Sequence, residues 1–372
     1  MRAAGSPARK SEWTEEAPYN MATIKYKGVG IRAMSACVPR KVVYNKDLGY
    51  LIPKDEITKT IESIGIGERR QADTTVCSSD LCFAAAEKLL TDLKFDRNTI
   101  DALIFLSQTP DYRQPATAPS LSHRLGLPDS VMAFDMNMAC AGYVYGLSVG
   151  YALAAQDGVR NVLLLVGETM SKTVSDHDKV TTPLFGDAGT ATLIARDERF
   201  GESTFMLQSD GSGSDILRIP YGGYRNPSCI EGLSEHTDEN GNRLTGEQLH
   251  MKGMDVFNFG LRVVPSGIKA ILKQVSLNIE EIDLIHFHQA NKFMTDFFAK
   301  KLKFPLDKVP YSLQKFGNTS AASIPLNIVY NMHDGGYPKR QRVILCGFGA
   351  GLTWGMTLLS LEHTAISALI EY

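Results

Sequence analysis

Apolar residues fall along this chain in two recurring forms. Short runs rich in branched apolar side chains occupy residues 103–106, 162–166 and 343–345, each bounded by polar or glycine-containing stretches. Runs of that length and composition predict buried strands. Longer runs over 79–93 and 256–275 space their apolar positions by three and four, which predicts amphipathic helices, the second bent or interrupted at Pro265. Strands alternating with helices predict an α/β protein whose mixed or parallel sheets carry helices on their faces.

The pattern is written twice. "LLTDLKFDRNTIDALIFLSQ" from Leu89 parallels "ILKQVSLNIEEIDLIHFHQA" from Ile271, and their aspartates, Asp101 and Asp283, lie 182 positions apart. "VRNVLLLVGE" from Val159 parallels "KRQRVILCGFG" from Lys339, with Arg160 and Arg342 at the same offset. Each half reads as helix, short loop, buried strand, helix and buried strand. A unit this long is not a solenoid repeat. It predicts two duplicated halves, 21–200 and 201–372, packed so that facing loops build one site. Residues 1–20, polar and mixed in charge, read as a flexible extension.

Composition narrows the function classes. The 372 residues are 44% apolar and 22% charged with a formal net charge of −2, which gives no electrostatic reason to expect nucleic acid. No apolar run approaches the ~18 residues that span a bilayer, and no secretory signal opens the chain. Cysteines 37, 77, 82, 140, 229 and 346 lack metal-ligand spacing, so they read as free thiols of a cytoplasmic protein with no metal site.

One cysteine sits at a telling junction. In "DMNMACAGYVYG", Cys140 stands where an extended run gives way to a helix, and a helix N-terminus favours a thiolate. The same free N–H groups can stabilise an oxyanion on a bound thioester, with Ala141 and Gly142 letting substrate approach. The duplication gives this junction a counterpart at "QKFGNTSAAS", 314–323, where a strand is again expected to feed a helix. "HFHQAN", 286–291, ends its own strand. Alone, Cys140 reads as a small buried hydrophobe, Asn318 as a turn residue, and either His286 or His288 as the relevant histidine. Their shared position at strand-to-helix edges, where α/β sheets gather reactive groups, favours chemistry with Cys140, His288 and Asn318. Asp187 reads as a fold residue. "GFGAG" lacks the G-K-[ST] of a phosphate loop.

Five motifs then carry a resemblance: "ACAG" at 139–142, "FGDAGTA" at 185–191, "HQAN" at 288–291, "GNTSAASIP" at 317–325 and "GFGAGLTWG" at 347–355. The chain resembles the thiolase-like condensing enzymes and, among them, β-ketoacyl-acyl carrier protein synthase III. That resemblance implies a five-layered αβαβα fold, a homodimer and a role in fatty-acid or specialised acyl biosynthesis. It implies that Cys140 takes an acyl group from a thioester, after which His288 and Asn318 assist decarboxylation of a malonyl thioester. It places the oxyanion hole at the N–H groups of Cys140 and Ala350, and Phe348 beside the cysteine. Acyl-coenzyme A and acyl-carrier thioesters are then substrates, with no tightly bound cofactor. Substrate contacts fall on Lys179, Phe257 and Lys292, and on Gln114 from the dimer mate, where a polar side chain suggests a short or polar acyl group. An acyltransferase coupling acyl-Cys140 to a non-malonyl acceptor is the alternative.

The chain departs from the family pattern where coenzyme A would be held. Lys59, Ser63 and Met254 stand in place of an aromatic, an arginine and an asparagine, while Lys179 retains a positive charge. Phe293 replaces a carrier-docking arginine, with Lys292, Lys300, Lys301 and Lys303 nearby. These losses point either to a primer delivered on an acyl carrier protein or to other side chains that take over the coenzyme A contacts. The loop-rich stretch 216–250 is expected to cover the entrance, and Cys346 to end a strand as a small buried residue.

Overall fold

Alternation within single strands sets the layers. In Asn161–Thr169, Val162, Leu164 and Val166 point into one apolar core while Leu163 and Leu165 point into another. Ile100–Leu106 repeats the division, with Ala102, Ile104 and Leu106 on one side and Leu103 and Phe105 on the other. A strand buried on both faces needs a helical layer against each, and the continuous apolar runs of the sequence reflect that. The computed structural model describes residues 22–333, 336–337 and 340–372, so the expected extension over 1–20 lies outside the described residues.

Two sheets result. The first runs Ala365–Ile366, Val29–Val38, Asp187–Arg196, Asn161–Thr169, Ile100–Leu106, Met132–Met136, with Ile370–Glu371 also paired to Val29–Val38. The second runs Thr23–Lys27, Glu202–Ser209, Thr353–Leu359, Val343–Gly349, Leu284–Phe287. Helices Ser78–Asp92 and Thr117–Arg124 cover the outer face of the first sheet, and Gly253–Gln274 and Lys292–Leu302 the outer face of the second. Helices Gly142–Ala154 and Ser323–Met332 are shared between the sheets in the central core, so the layers read α, β, α, β, α. The expected five-layered α/β fold is the observed one.

The internal repeat has a visible counterpart in hydrogen bonding. Asp101 Oδ2 accepts from the backbone N of Arg160 at 2.6 Å, and Asp283 Oδ2 from that of Arg342 at 3.0 Å. In both halves the aspartate ties together two neighbouring parallel strands. The termini cross between sheets: Thr23–Lys27 pairs with Glu202–Ser209, while Ala365–Ile366 and Ile370–Glu371 pair with Val29–Val38.

Three local expectations change. Gly253–Gln274 is not interrupted at Pro265, one of the two expected outcomes there, because one face carrying Phe259, Val263, Val264, Ile268 and Ile271 is buried, and that burial offsets the lost helix hydrogen bond. Among the described residues the second sheet has no strand matching Met132–Met136. The chain ahead of Asn318 is instead the short helix Leu313–Phe316, and Asn318 makes only a single parallel bridge, to Phe185. Cys346 is fully buried as expected but lies inside Val343–Gly349, not at its end.

Candidate active site

Cys140 occupies the tight turn that starts Gly142–Ala154, and only 6% of it is exposed. Gly142 N donates to Ala139 O at 2.6 Å, and the amides of Val144 and Tyr145 both donate to Ala141 O. The turn therefore consumes several of the N–H groups that were expected to favour a thiolate. Burial pushes the thiol up to about 11, with the Glu168 carboxyl adding to the rise; Ser320 and the cysteine's own amide act the other way. The resting sulfur is a protonated thiol, which corrects the expectation from the helix end alone.

Glycines bring the second half against this turn. A Cβ on Gly349 would lie 2.8 Å from Cys140 Cβ and 3.1 Å from its Sγ, and one on Gly347 would lie 2.9 Å from Ala141 Cα. Gly142 serves differently from the expectation. Its missing side chain makes room for Leu106, Met138 and Ala321, and Ala141 is fully buried, so neither opens space for substrate.

His288 follows Leu284–Phe287 directly, 2% exposed, with its backbone N donating to Cys346 O at 2.8 Å. Its Nδ1 lies 2.7 Å from Ser323 Oγ. Burial lowers its pKa to about 3, so the imidazole is neutral. His286 is fully buried, with Nδ1 2.5 Å from Asn327 Oδ1, and is not among the residues lining the cavity that His288 borders. Asn318 is fixed by backbone bonds to Leu184 and Gly186, and its Oδ1 accepts from Ser320 N at 2.9 Å. With Oδ1 engaged, the Asn318 NH2 is the group left to donate.

Cys140, His288, Asn318 and Phe348 line one cavity of about 320 Å³. Phe348 meets His288 edge-on, centroids 5.4 Å apart. Phe257 and Lys179 line the same cavity, and Lys179 also borders an outer bowl of about 880 Å³ that includes Met254. Thr60 and Ile64 form another part of the cavity wall, next in sequence to the exposed Lys59 and Ser63. A second cavity of about 280 Å³ reaches Cys140 beside Ala350, Ser320 and Gln108. Leu217, Ile219 and Leu249, from the stretch expected to cover the entrance, border it.

Two expected contacts are not brought to these cavities within the chain. Gln114 is exposed in a loop, and Lys292 is ion-paired with Asp296. Asp187 acts as a fold residue, accepting from Ala72 N, Ser171 N and Ser171 Oγ. Sequence reading missed Ser320, Ser323, Gln108 and Glu168. The three-residue spacing of Ser320 and Ser323 at a helix start was the available signal, since such positions share a face. Among the described residues no His, Cys, Asp and Glu cluster could hold a metal, and no helix is long and apolar enough to cross a membrane.

Two duplicated α/β halves closing over a buried thiol, an imidazole and an amide define a thiolase-like condensing enzyme. Residues 134–211 match the family described as 3-oxoacyl-[acyl-carrier-protein (ACP)] synthase III, and 272–361 match its C-terminal counterpart. A β-ketoacyl-[acyl-carrier-protein] synthase III of Rhodopirellula baltica is 35% identical over 352 residues, covering 89% of this chain and 98% of the relative. One from Fusobacterium nucleatum is 33% identical, covering 90% and 98%. The crystal structure of a 3-oxoacyl-(acyl-carrier protein) synthase from Burkholderia xenovorans superposes with a TM-score of 0.88 at 36% identity, covering 95% of this chain and 99% of that one. The chain belongs to the β-ketoacyl-acyl-carrier-protein synthase III family of condensing acyltransferases.

Proposed function

We propose that the chain joins an acyl group to a malonyl unit with loss of carbon dioxide, through an acyl-Cys140 intermediate. The observation that carries the reading is the meeting of Cys140, His288 and Asn318 in one cavity. In the first half-reaction the sulfur attacks an acyl thioester, the backbone N–H groups of Cys140 and Ala350 receive the oxyanion, and the carrier leaves as a thiol with the sulfur's proton. In the second, a malonyl thioester occupies the same cavity. When Ser323 donates to His288 Nδ1, Nε2 carries the proton and donates to the thioester carbonyl together with the Asn318 NH2. These donors stabilise the enolate left as carbon dioxide departs, and the neutral imidazole supports that role. The enolate carbon attacks acyl-Cys140, forming the carbon–carbon bond and releasing the sulfur.

Phe348 and the apolar wall keep water from the enolate. Acyl carrier protein is the favoured donor, since of the expected coenzyme A contacts only a basic residue, Lys179, stands at the cavity. The enzyme acts as a cytoplasmic homodimer in this reading, with Gln114 contributed across the interface. Intact-mass measurement after incubation with a panel of acyl-coenzyme A and acyl-carrier thioesters tests it. The expected result is one acyl adduct, absent in Cys140→Ser, followed by malonyl-dependent carbon dioxide release. An unmodified wild-type protein across the panel, or an adduct that turns over without carbon dioxide, overturns it.

A further inference from the structure

Ser320 touches two members of the site. Its Oγ lies 3.5 Å from Cys140 Sγ, and its backbone N donates to Asn318 Oδ1 at 2.9 Å. The residue is fully buried and sits at φ +50°, a conformation that costs free energy for a side chain other than glycine. The hydroxyl has a second partner, donating to Gln108 Oε1 at 3.4 Å. The Gln108 loop is anchored in turn, its backbone N donating to Glu168 Oε2 at 3.1 Å.

The geometry points to Ser320 as a hydroxyl switch for Cys140: it accepts from the resting thiol while donating to Gln108, then turns to donate to the sulfur as the proton leaves. This inference rests on the proposed acyl transfer to Cys140. A hydroxyl has one hydrogen, so while Gln108 Oε1 receives it only the oxygen lone pairs face sulfur, and the S–H points at them. During transfer, R–CO–S–carrier and HS–Cys140 become R–CO–S–Cys140 and HS–carrier, so the thiol's proton ends on the departing carrier. The serine gains and loses nothing; it rotates, and its hydrogen moves from Gln108 to the developing thiolate. A hydrogen bond to a charged sulfur is worth more than one to a neutral amide, which drives the rotation at the moment charge appears. The contact also opposes the burial that holds the thiol protonated.

The test is the pH dependence of Cys140 alkylation by iodoacetamide, followed by intact mass. It needs no acyl donor, so its failure leaves the condensing reading standing, while the absence of any acyl adduct would strike that reading alone. In Ser320→Ala the midpoint should move up by roughly one pH unit, slowing alkylation about tenfold below it. An unchanged or lower midpoint overturns the switch. If that variant does not fold, Gln108→Ala, at an exposed loop position, supplies the second reading. Freed from Gln108, the hydroxyl should donate to sulfur at rest and move the midpoint down; an unchanged or higher midpoint overturns the proposal.

Discussion

Gly349→Ala is the most exacting probe of how the two halves meet. The new methyl would sit 2.8 Å from Cys140 Cβ, 3.1 Å from Sγ and 3.2 Å from the cysteine's backbone N. Carbon pairs rest at about 3.5–4.0 Å, so the cysteine must retreat by about 1 Å. The obstructing atoms belong to a turn held by backbone bonds, not to the end of a flexible side chain. Overpacking of this kind costs about 1–3 kcal/mol, which a domain of this size survives. A reacting atom displaced by about 1 Å loses on the order of 100-fold in rate. Single-turnover acylation of Cys140, read by intact mass beside a thermal melt, should therefore fall about 100-fold while the protein stays folded. Gly142→Ala is the contrast: its methyl meets Leu106 Cδ2 at 2.7 Å, in the core, so its main effect should be on the melting temperature. A Gly349→Ala protein that acylates within twofold of wild type would refute the claim that this glycine sets the sulfur's position.

Asn318→Ala should cut malonyl decarboxylation by about 100- to 1000-fold in a carbon dioxide assay, the loss typical of one oxyanion donor; a loss under tenfold would remove it from that role. Because burial lowers His288 to about 3, decarboxylation should show no acid limb from this residue between pH 7 and pH 5. An inflection near 6.5 that disappears in His288→Gln would show an ordinary, solvated imidazole. His286 is also lowered, to about 4, by burial, so the unfolded chain takes up its proton first as pH falls. The stability held by neutral His286 is complete above pH 6.5 and drains toward pH 4, by about 2 kcal/mol at pH 5. The urea-midpoint gap between wild type and His286→Gln should narrow from pH 7.5 to pH 5, and a constant gap would contradict the linkage.

The sequence carried the parts of this molecule that depend on burial. Strands such as Asn161–Thr169 are apolar on both faces, so their composition alone marks them as covered by two helical layers. The 182-residue offset was legible because Asp101 and Asp283 bind backbone in the same way, and such a clamp tolerates little change. Legibility failed where contacts are made across the seam. Nothing local distinguishes a glycine that admits substrate from one that admits Leu106, and Gly142 proved to be the second. The missing strand before Asn318 was hidden because the halves share an offset there without sharing a structure. The acidity of Cys140 was misjudged because burial across the seam raises the thiol, and a sequence does not show how deeply one side chain will be covered.

The crossed termini bear on how substrates enter. The first and last described strands are stitched into the sheet built mainly by the opposite half, so the halves cannot swing apart as hinged lobes without tearing edge strands from both. Under the proposed reaction, acyl chains then thread into a seam that stays shut, and selectivity falls to the width of the passage and the surface loops rather than to a closing motion. Splitting the polypeptide near residue 200 should yield a first fragment with one orphan strand and a second with two, each needing the other to fold.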